Sequence, residues 1–280
     1  GTMAVIVTPW GFECGLATYA EHLVEAIGDC TMVAAETVPA GLSERRILPA
    51  IQTRRCWSRG SLDYGKLLEY SELDGGLVHF NHEYSLFPRR AEFLALLERL
   101  KARGNKVVTT MHSMHPVGVP GHLAFRWVWE AAKQCDAVIV HNRDAIRKAA
   151  ECGLDPRNVH HVHHGTVIDQ PMDKAAARRK LGITSDGIVG ASVGFITPNK
   201  RMVQTVRAAK KVDGLAAYIV AGWPTAADRS GQCVAHAAEA LDERLARHEQ
   251  VDGERRRGND RDGACQRRAR HRDGDRFLRR

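Results

Sequence analysis

The chain has 280 residues, of which 44% are hydrophobic and 26% are charged, as is usual for a soluble globular protein of one large or two modest domains. No apolar run approaches the roughly 20 residues of a membrane span, and no signal peptide is recognisable, so we expect a cytoplasmic protein without a transmembrane segment. The net charge of +8 comes mainly from the last 30 residues, where eleven Arg stand against six acidic residues, so it does not by itself indicate a specific nucleic-acid partner.

The first 165 residues alternate between short apolar runs and amphipathic segments. This pattern predicts an α/β fold with a doubly wound parallel sheet. The predicted strands are 4–8, 30–35, 46–52, 77–80, 106–111, 136–140 and 159–163, and the clearest predicted helices are 16–27, 62–70, 122–134 and 143–151.

A second α/β series follows a linker predicted at 166–187, which carries a Lys/Arg-rich helix at 174–181. The predicted elements are strands 188–193 and 216–221 and helices 202–212 and 232–247. We therefore expect an N-terminal domain at 1–165 and a partial C-terminal domain at 188–250. The Arg-rich tail at 251–280 lacks a hydrophobic period, so we expect it to be disordered or non-native.

The loop from Gly11 to Gly15 leads from the first strand into a helix. Glycines allow a ligand to approach the backbone, and a helix N-terminus favours an anion. The loop does not match the dinucleotide fingerprint GxGxxG, and an ordinary glycine-containing turn is the alternative.

Polar residues also follow two predicted strands, His82 and Glu83 after the fourth and His112 after the fifth. The carboxyl ends of parallel strands share one edge, where ligands bind in open sheets, so we expect Glu83 and His112 to converge. A histidine there can exchange a hydrogen bond with a substrate hydroxyl. Loop packing is the alternative.

The run His160-His161-Val162-His163-His164 invites a metal interpretation, with His161 and His163 on one face of a strand. No acidic or cysteine partner is spaced to complete a site, so we expect no metal.

Farther along the chain, residues 194–201 end a predicted strand and begin a predicted helix, and Lys200 could neutralise a phosphate there. A solvated Lys-Arg helix start is the alternative.

Taken in order, five segments resemble the GT-B glycosyltransferases of family 4, over about residues 4–247. They are GFECGLATY (11–19), FNHEYSLF (80–87), TMHS (110–113), VIVHNRDAIRKAAECGLDPRNVHHVHHGT (138–166) and VGFITPNKR (193–201). Each is weak alone, but together they are a specific match.

The resemblance implies two Rossmann-like domains with a cleft between them and sugar transfer with retained configuration. The donor would be a nucleotide-diphosphate sugar of the UDP or GDP type, and neither a cofactor nor a metal would be required. The acceptor would be a saccharide, a lipid-linked molecule or a natural product. By the resemblance, the catalytic residues are His112 and Lys200; the donor-binding residues are Gly15, Gly194, Asn199 and Lys200; and the acceptor-binding residues are Gly11, Tyr19, His82 and Glu83.

Three departures from the family pattern stand out. Phe195-Ile196 occupies a stretch where the family often has Arg, Arg201 replaces a Gly after Lys200, and the later pair of glutamates eight positions apart is missing. We therefore expect a truncated or frame-shifted C-terminal domain. A catalytically inactive GT-B-like binding protein is the alternative function, and nucleic-acid binding through the tail is a third.

Overall fold

The computed structural model describes residues 4–28, 31–45, 47–61, 63–69, 74–113, 122–166, 168, 170–197, 200–222 and 246–249. The chain divides into two compact units, Gly1–Asp169 and Gln170–Arg280. Each is described by itself below.

The first unit is built on a parallel sheet, as the alternating sequence predicts. Its described strands are β1 (Ala4–Thr8), β2 (Thr31–Glu36), β3 (Gln52–Trp57), β4 (Leu77–His82), β5 (Lys106–Met111), β6 (Ala137–Val140) and β7 (Val159–His161). Its described helices are α1 (Gly15–Ile27), α2 (Gly65–Leu68), α3 (Arg90–Ala102), α4 (His122–Gln134) and α5 (Arg143–Glu151), and a 3-10 turn covers Pro156–Asn158. The strand order is β3-β2-β1-β4-β5-β6-β7.

Strand β1 shows why the sequence forms a sheet covered on both faces. All five of its residues are buried. Alternation sends Val5 and Val7 into the core that contains Phe80, whereas Ile6 enters a second core that contains Val24 of α1. A strand that is buried on both faces has a continuous run of apolar residues in its sequence, as β1 has.

The strand order reverses between β1 and β4, which are neighbours in the sheet although two strands separate them in the chain. In doubly wound folds, ligands bind beside the carboxyl ends of the strands at such a reversal. The strands are parallel, so the residues following each of them lie at one edge. The fold therefore brings the loop at 9–14 and the polar residues after β4 and β5 to the same edge.

The predicted strand 46–52 was wrong, because the third strand runs from Gln52 to Trp57. Pro49 has no N–H to donate, and Leu48 adopts a positive φ of 45°, so the backbone cannot continue as a strand there. Strand β3 is anchored at its other end, where the Trp57 indole donates to the Ala34 carbonyl over 2.9 Å.

The second unit contains α6 (Lys174–Lys180), β8 (Ile188–Val193), α7 (Met202–Ala209), β9 (Leu215–Ala221) and β10 (Ala246–Glu249). The three strands are parallel, in the order β10-β9-β8. The predicted helix 232–247 was wrong for its last two residues, which lie in β10, and 232–245 lie outside the described residues. Backbone pairing with the open edge of β9 overrides local helix propensity at these residues.

Among the described residues, no helix is both long and apolar enough to cross a membrane. The predicted tail at 251–280 lies outside the described residues.

Candidate functional site

The ring of His112 lies in a cluster of four rings in the first unit, called here the histidine cluster: Tyr19, His112, His141 and His164. The His112 ring centroid is 4.6 Å from that of Tyr19, 5.0 Å from that of His141 and 6.1 Å from that of His164. Tyr19 also contacts His141 and His164, at 5.4 and 4.9 Å. The cluster is therefore one continuous set of ring contacts.

Three adjacent strands supply the histidines. His112 directly follows β5 and His141 directly follows β6, and Met111 pairs with Val140 in the sheet register, so the two histidines are neighbours. His164 comes three residues beyond the end of β7. The backbone N–H of Val162 donates to the Val140 carbonyl over 3.0 Å and keeps the chain beside β6 as it approaches His164.

The start of α5 fixes the position of His141. The side chain of Asn142 accepts a hydrogen bond from the backbone N–H of Ala145 over 2.8 Å and so caps the helix. The Nδ1 atom of His141 lies 3.0 Å from the Val162 carbonyl, which can only accept, so Nδ1 carries the proton. His164 makes the same contact with the Gly165 carbonyl over 2.9 Å.

Burial keeps the His112 imidazole neutral. Desolvation lowers its pKa to about 3, with smaller contributions from His141 and His164. Desolvation also lowers the pKa of His141. The Nε2 atoms of His112 and His141 are buried and have no hydrogen-bond partner among the described residues. A neutral ring nitrogen without a partner can bind a ligand hydroxyl or a metal ion.

Tyr19 connects the histidine cluster to the buried polar interior of the sheet. Its hydroxyl hydrogen-bonds the Thr110 side chain, and burial raises the pKa of the phenol. The Thr110 hydroxyl lies 2.7 Å from Nε2 of His79, a buried ring whose pKa desolvation lowers to about 4. Next to them, the Asn81 amide donates to the Thr8 hydroxyl over 3.1 Å, between β4 and β1.

The structure places His82 inside the core. Its ring is 3% exposed and stacks on Phe87 at a centroid distance of 5.7 Å, and neither ring nitrogen has a hydrogen-bond partner among the described residues. Desolvation lowers its pKa to about 4. The half-buried Glu83 accepts a hydrogen bond from the backbone N–H of Tyr84 over 3.0 Å and so closes its own turn. The rings around His112 come from Tyr19, His141 and His164.

The loop at 9–14 is held by two arginines. The backbone N–H of Arg45 donates to the Gly11 carbonyl over 2.6 Å, and Nη2 of Arg55 donates to the Trp10 carbonyl over 3.0 Å. Gly11 has a φ of +70°, and a Cβ there would lie 2.8 Å from the Arg45 carbonyl oxygen, so the turn itself requires glycine. Gly15, by contrast, is exposed, begins α1 and has open space where a Cβ would be.

In the second unit, Gly194 follows β8 with a φ of +131°, and Gly222 follows β9 with a φ of +159°. A Cβ on Gly222 would lie 1.8 Å from the Gly194 carbonyl oxygen, so the two turns approach as closely as glycine permits. Lys200 is exposed, and its backbone N–H donates to the Thr197 carbonyl over 3.0 Å ahead of α7. Asn199 lies outside the described residues.

Two features of the first unit were not predicted from the sequence. His141 directly follows its strand, as His112 does, and His164 comes three residues after β7, so the same pattern could have identified them. The second feature is an ion pair at the carboxyl end of β2, which no sequence motif indicates. Glu36 is 1% exposed and accepts hydrogen bonds from Nε of Arg59 over 2.6 Å and from Nη2 of Arg59 over 2.9 Å. Arg59 also interacts with Cys14, at the start of α1.

The chain is similar to known glycosyltransferases in sequence. The model of glycosyltransferase family 4 matches residues 15–170, more than half of the chain. A D-inositol 3-phosphate glycosyltransferase of Mycobacteroides abscessus is 35% identical over 96 residues, which is 33% of this chain and 22% of that protein. A protein of the same name from Mycobacterium tuberculosis is 37% identical over 99 residues, 34% of this chain and 20% of that protein. These matches span only about a fifth of each relative's length.

The fold is also similar to solved structures. HepE of Anabaena in complex with UDP has a TM-score of 0.64 and 12% identity, covering 89% of this chain and 70% of that one. Sucrose-phosphate synthase of Thermosynechococcus elongatus has a TM-score of 0.61 and 16% identity, covering 90% and 71%. At these identities the likeness concerns the fold, which is of the GT-B type with Rossmann-like α/β units. With the family model matching from α1 to beyond β7, the chain belongs to glycosyltransferase family 4.

Proposed function

We propose that the chain transfers a sugar from a nucleotide-diphosphate sugar to an acceptor hydroxyl with retention of configuration. The observation that supports this most is the state of His112. Its Nε2 atom has no hydrogen-bond partner in the described part of the chain, and its low pKa keeps the ring neutral near pH 7. A neutral imidazole held by neighbouring rings can orient a sugar hydroxyl without reorganising, which is how enzymes position reacting groups.

We assign the binding of the donor diphosphate to backbone N–H groups at the start of α1 and to the ammonium group of Lys200. Gly15 leaves open space at the start of α1, so a phosphate can approach the free N–H groups of that helix. Lys200 is exposed ahead of α7, and its ammonium would stabilise negative charge on the departing diphosphate. Solved structures of HepE contain UDP and UDP-glucose, which favours UDP-sugars as the first donors to test, with GDP-sugars second.

We assign the acceptor to the edge of the first unit where the carboxyl ends of its strands lie, near Tyr19 and Glu83. Gly11 would act by shaping its loop, and His82 by supporting β4 from the core. The names of the sequence relatives make D-inositol 3-phosphate the first acceptor to test. A saccharide, a lipid-linked molecule or a natural product remains the wider class.

The test is transfer by the 280-residue chain with UDP- or GDP-sugars and D-inositol 3-phosphate, measured as release of nucleotide diphosphate. The anomeric configuration of the product is read by NMR. His112→Ala should abolish release, whereas His160→Ala, an exposed histidine outside the histidine cluster, should leave it unchanged. Nucleotide binding without transfer would favour the alternative of a catalytically inactive binding protein. Absence of both would contradict the proposal.

A further inference from the structure

The three histidines of the histidine cluster are also arranged as a set of metal ligands. One ring nitrogen from each of His112, His141 and His164 lies within 4.8 Å of the others. They come from the ends of three adjacent strands, so the sheet itself holds them together. Three imidazoles with an open fourth position are a recurrent arrangement for zinc.

The hydrogen bonds of two of these rings leave the correct nitrogen available. Nδ1 of His141 donates to the Val162 carbonyl over 3.0 Å, and Nδ1 of His164 lies 2.9 Å from the Gly165 carbonyl. In both rings the lone pair is therefore on Nε2. A ligating histidine commonly donates its other ring N–H to a carbonyl or carboxylate, because this fixes the tautomer and the ring orientation.

The rings of His112 and His141, which are more buried than that of His164, each have a ring nitrogen that makes no hydrogen bond to the described residues. Nε2 of His112 and Nε2 of His141 are both buried without a hydrogen-bond partner. Buried polar atoms are nearly always paired, so two buried ring nitrogens without partners among the described residues indicate a group that they bind. Tyr19 packs against all three imidazoles and closes one side of the cluster.

We propose that His112, His141 and His164 bind one divalent transition-metal ion, of which Zn²⁺ fits best, through their Nε2 atoms. Imidazole nitrogen suits Zn²⁺, whereas Mg²⁺ and Ca²⁺ prefer sets of oxygen ligands that three imidazoles do not provide. Zinc binds nitrogen at about 2.0–2.1 Å, which places tetrahedral ligands about 3.4 Å apart, so nitrogens up to 4.8 Å apart must approach by up to about 1.4 Å. The exposed His164 ring can make most of that movement.

Metal binding would compete with the function proposed above, because both need Nε2 of His112. The ion would thus act as an inhibitor of transfer, and a chelator would relieve the inhibition. The binding itself does not depend on transfer, so it is tested separately.

The test is titration of the metal-free 280-residue chain with Co²⁺, whose visible absorption reports tetrahedral coordination, followed by displacement with Zn²⁺. We expect one ion per chain, and at least a tenfold loss of affinity in His164→Ala and in His141→Ala. His164 is exposed, so its replacement leaves the core intact, and circular dichroism checks folding in both variants.

The matched control is the double variant His161→Ala with His163→Ala. These rings form a second histidine pair with centroids 4.4 Å apart, and their loss should leave the Co²⁺ affinity unchanged. The proposal is overturned if the chain binds neither Co²⁺ nor Zn²⁺. It is also overturned if binding survives in both His164→Ala and His141→Ala, which would place the ion elsewhere in the chain.

Discussion

The Tyr19 ring meets the His112 ring edge-on, with centroids 4.6 Å apart and ring planes at 83°. The same tyrosine contacts His141 and His164, so one side chain of α1 positions three imidazoles from three strands. Edge-to-face contacts of this kind contribute about 0.5–1.5 kcal/mol beyond their buried area. Tyr19 is therefore a positioning residue for His112 in addition to its proposed place on the acceptor side.

Replacing Tyr19 by Ala should lower kcat for sugar transfer by about 100-fold, because a small displacement of a reacting group has an effect of this size. Tyr19→Phe keeps the ring contacts and removes only the hydrogen bond to Thr110. It should therefore lower kcat by less than about tenfold, since one neutral hydrogen bond contributes about 1 kcal/mol. Steady-state kinetics with a saturating acceptor measure both. Equal losses in the two variants would show that the hydroxyl, and not the ring, carries the effect.

Buried histidines predict loss of stability in mild acid. Desolvation lowers the pKa of His79 and of His82 to about 4, whereas an unfolded histidine titrates near 6.5. Between these values the unfolded chain binds protons that the folded chain does not. The free energy of unfolding should therefore be fully retained above about pH 6.5 and fall as the pH drops towards 4, by on the order of 3 kcal/mol for each ring.

His82→Phe should isolate one of these contributions. The phenylalanine ring fits beside Phe87 and Phe93 and removes two buried nitrogens without partners among the described residues, so stability at pH 7 should be equal or higher. The slope of unfolding free energy against pH between 4 and 6.5 should fall by up to about 1.4 kcal/mol per pH unit. Urea unfolding across that pH range measures the slope.

The control for this prediction is His82→Gln, which also removes the titrating ring but buries an amide. It should flatten the pH dependence equally while lowering stability at pH 7. An unchanged slope in both variants would mean that the pKa of His82 does not differ between the folded and unfolded states, which would contradict the prediction.

Arg201 stores backbone strain next to Lys200. It has a φ of 52° and a ψ of 35°, the left-handed region that disfavours residues with a Cβ. The family resemblance expects glycine there, and the observed backbone gives the physical reason. Arg201→Gly should stabilise the start of α7 by about 0.5–1 kcal/mol, because relief of strain exceeds the entropy cost of glycine.

Hydrogen exchange of peptides covering 202–209 measures this change locally. Arg201→Ala is the matched control, since it removes the charge and keeps the Cβ. If Arg201→Ala stabilised α7 as much as Arg201→Gly, repulsion from neighbouring cations such as Lys200 would be the cause instead of backbone strain.

Much of the first unit could be predicted because β1, β2 and β4 are buried on both faces and polar residues directly follow β4 and β5. The location of His112 at the end of β5 follows from that pattern alone. Its contacts with His141 and His164 do not, since strand order brings together residues far apart in the chain. Two of the three clustered histidines, His112 and His141, lie outside the run 160–164, so the spacing within that run could not reveal the cluster.

The burial of His82 could have been read from alternation. Val78, Phe80 and His82 share one face of β4, and that face packs on the main core, so the third member of the series is buried with the first two. The third strand was misplaced for a different reason. The strand was predicted from the apolar residues near Leu48, but Pro49 interrupts them. The actual strand β3 carries the charged residues Arg54 and Arg55, which are tolerated on an edge strand.

Substitutions of Gly11 in the first loop and of Gly15 at the start of α1 should separate a role in folding from a role in ligand binding. Gly11→Ala places a Cβ 2.8 Å from the Arg45 carbonyl at a φ of +70°, so it should destabilise the first unit by about 1–3 kcal/mol. Gly15→Ala meets open space at the start of α1, so it should change the unfolding free energy by less than about 0.5 kcal/mol.

If a nucleotide diphosphate approaches the backbone at this helix, the added methyl group of Gly15→Ala should weaken UDP binding by tenfold or more. Calorimetric titration of UDP into the folded Gly15→Ala variant measures this. Unchanged affinity would remove Gly15 from the donor site and leave the loop as an ordinary glycine turn.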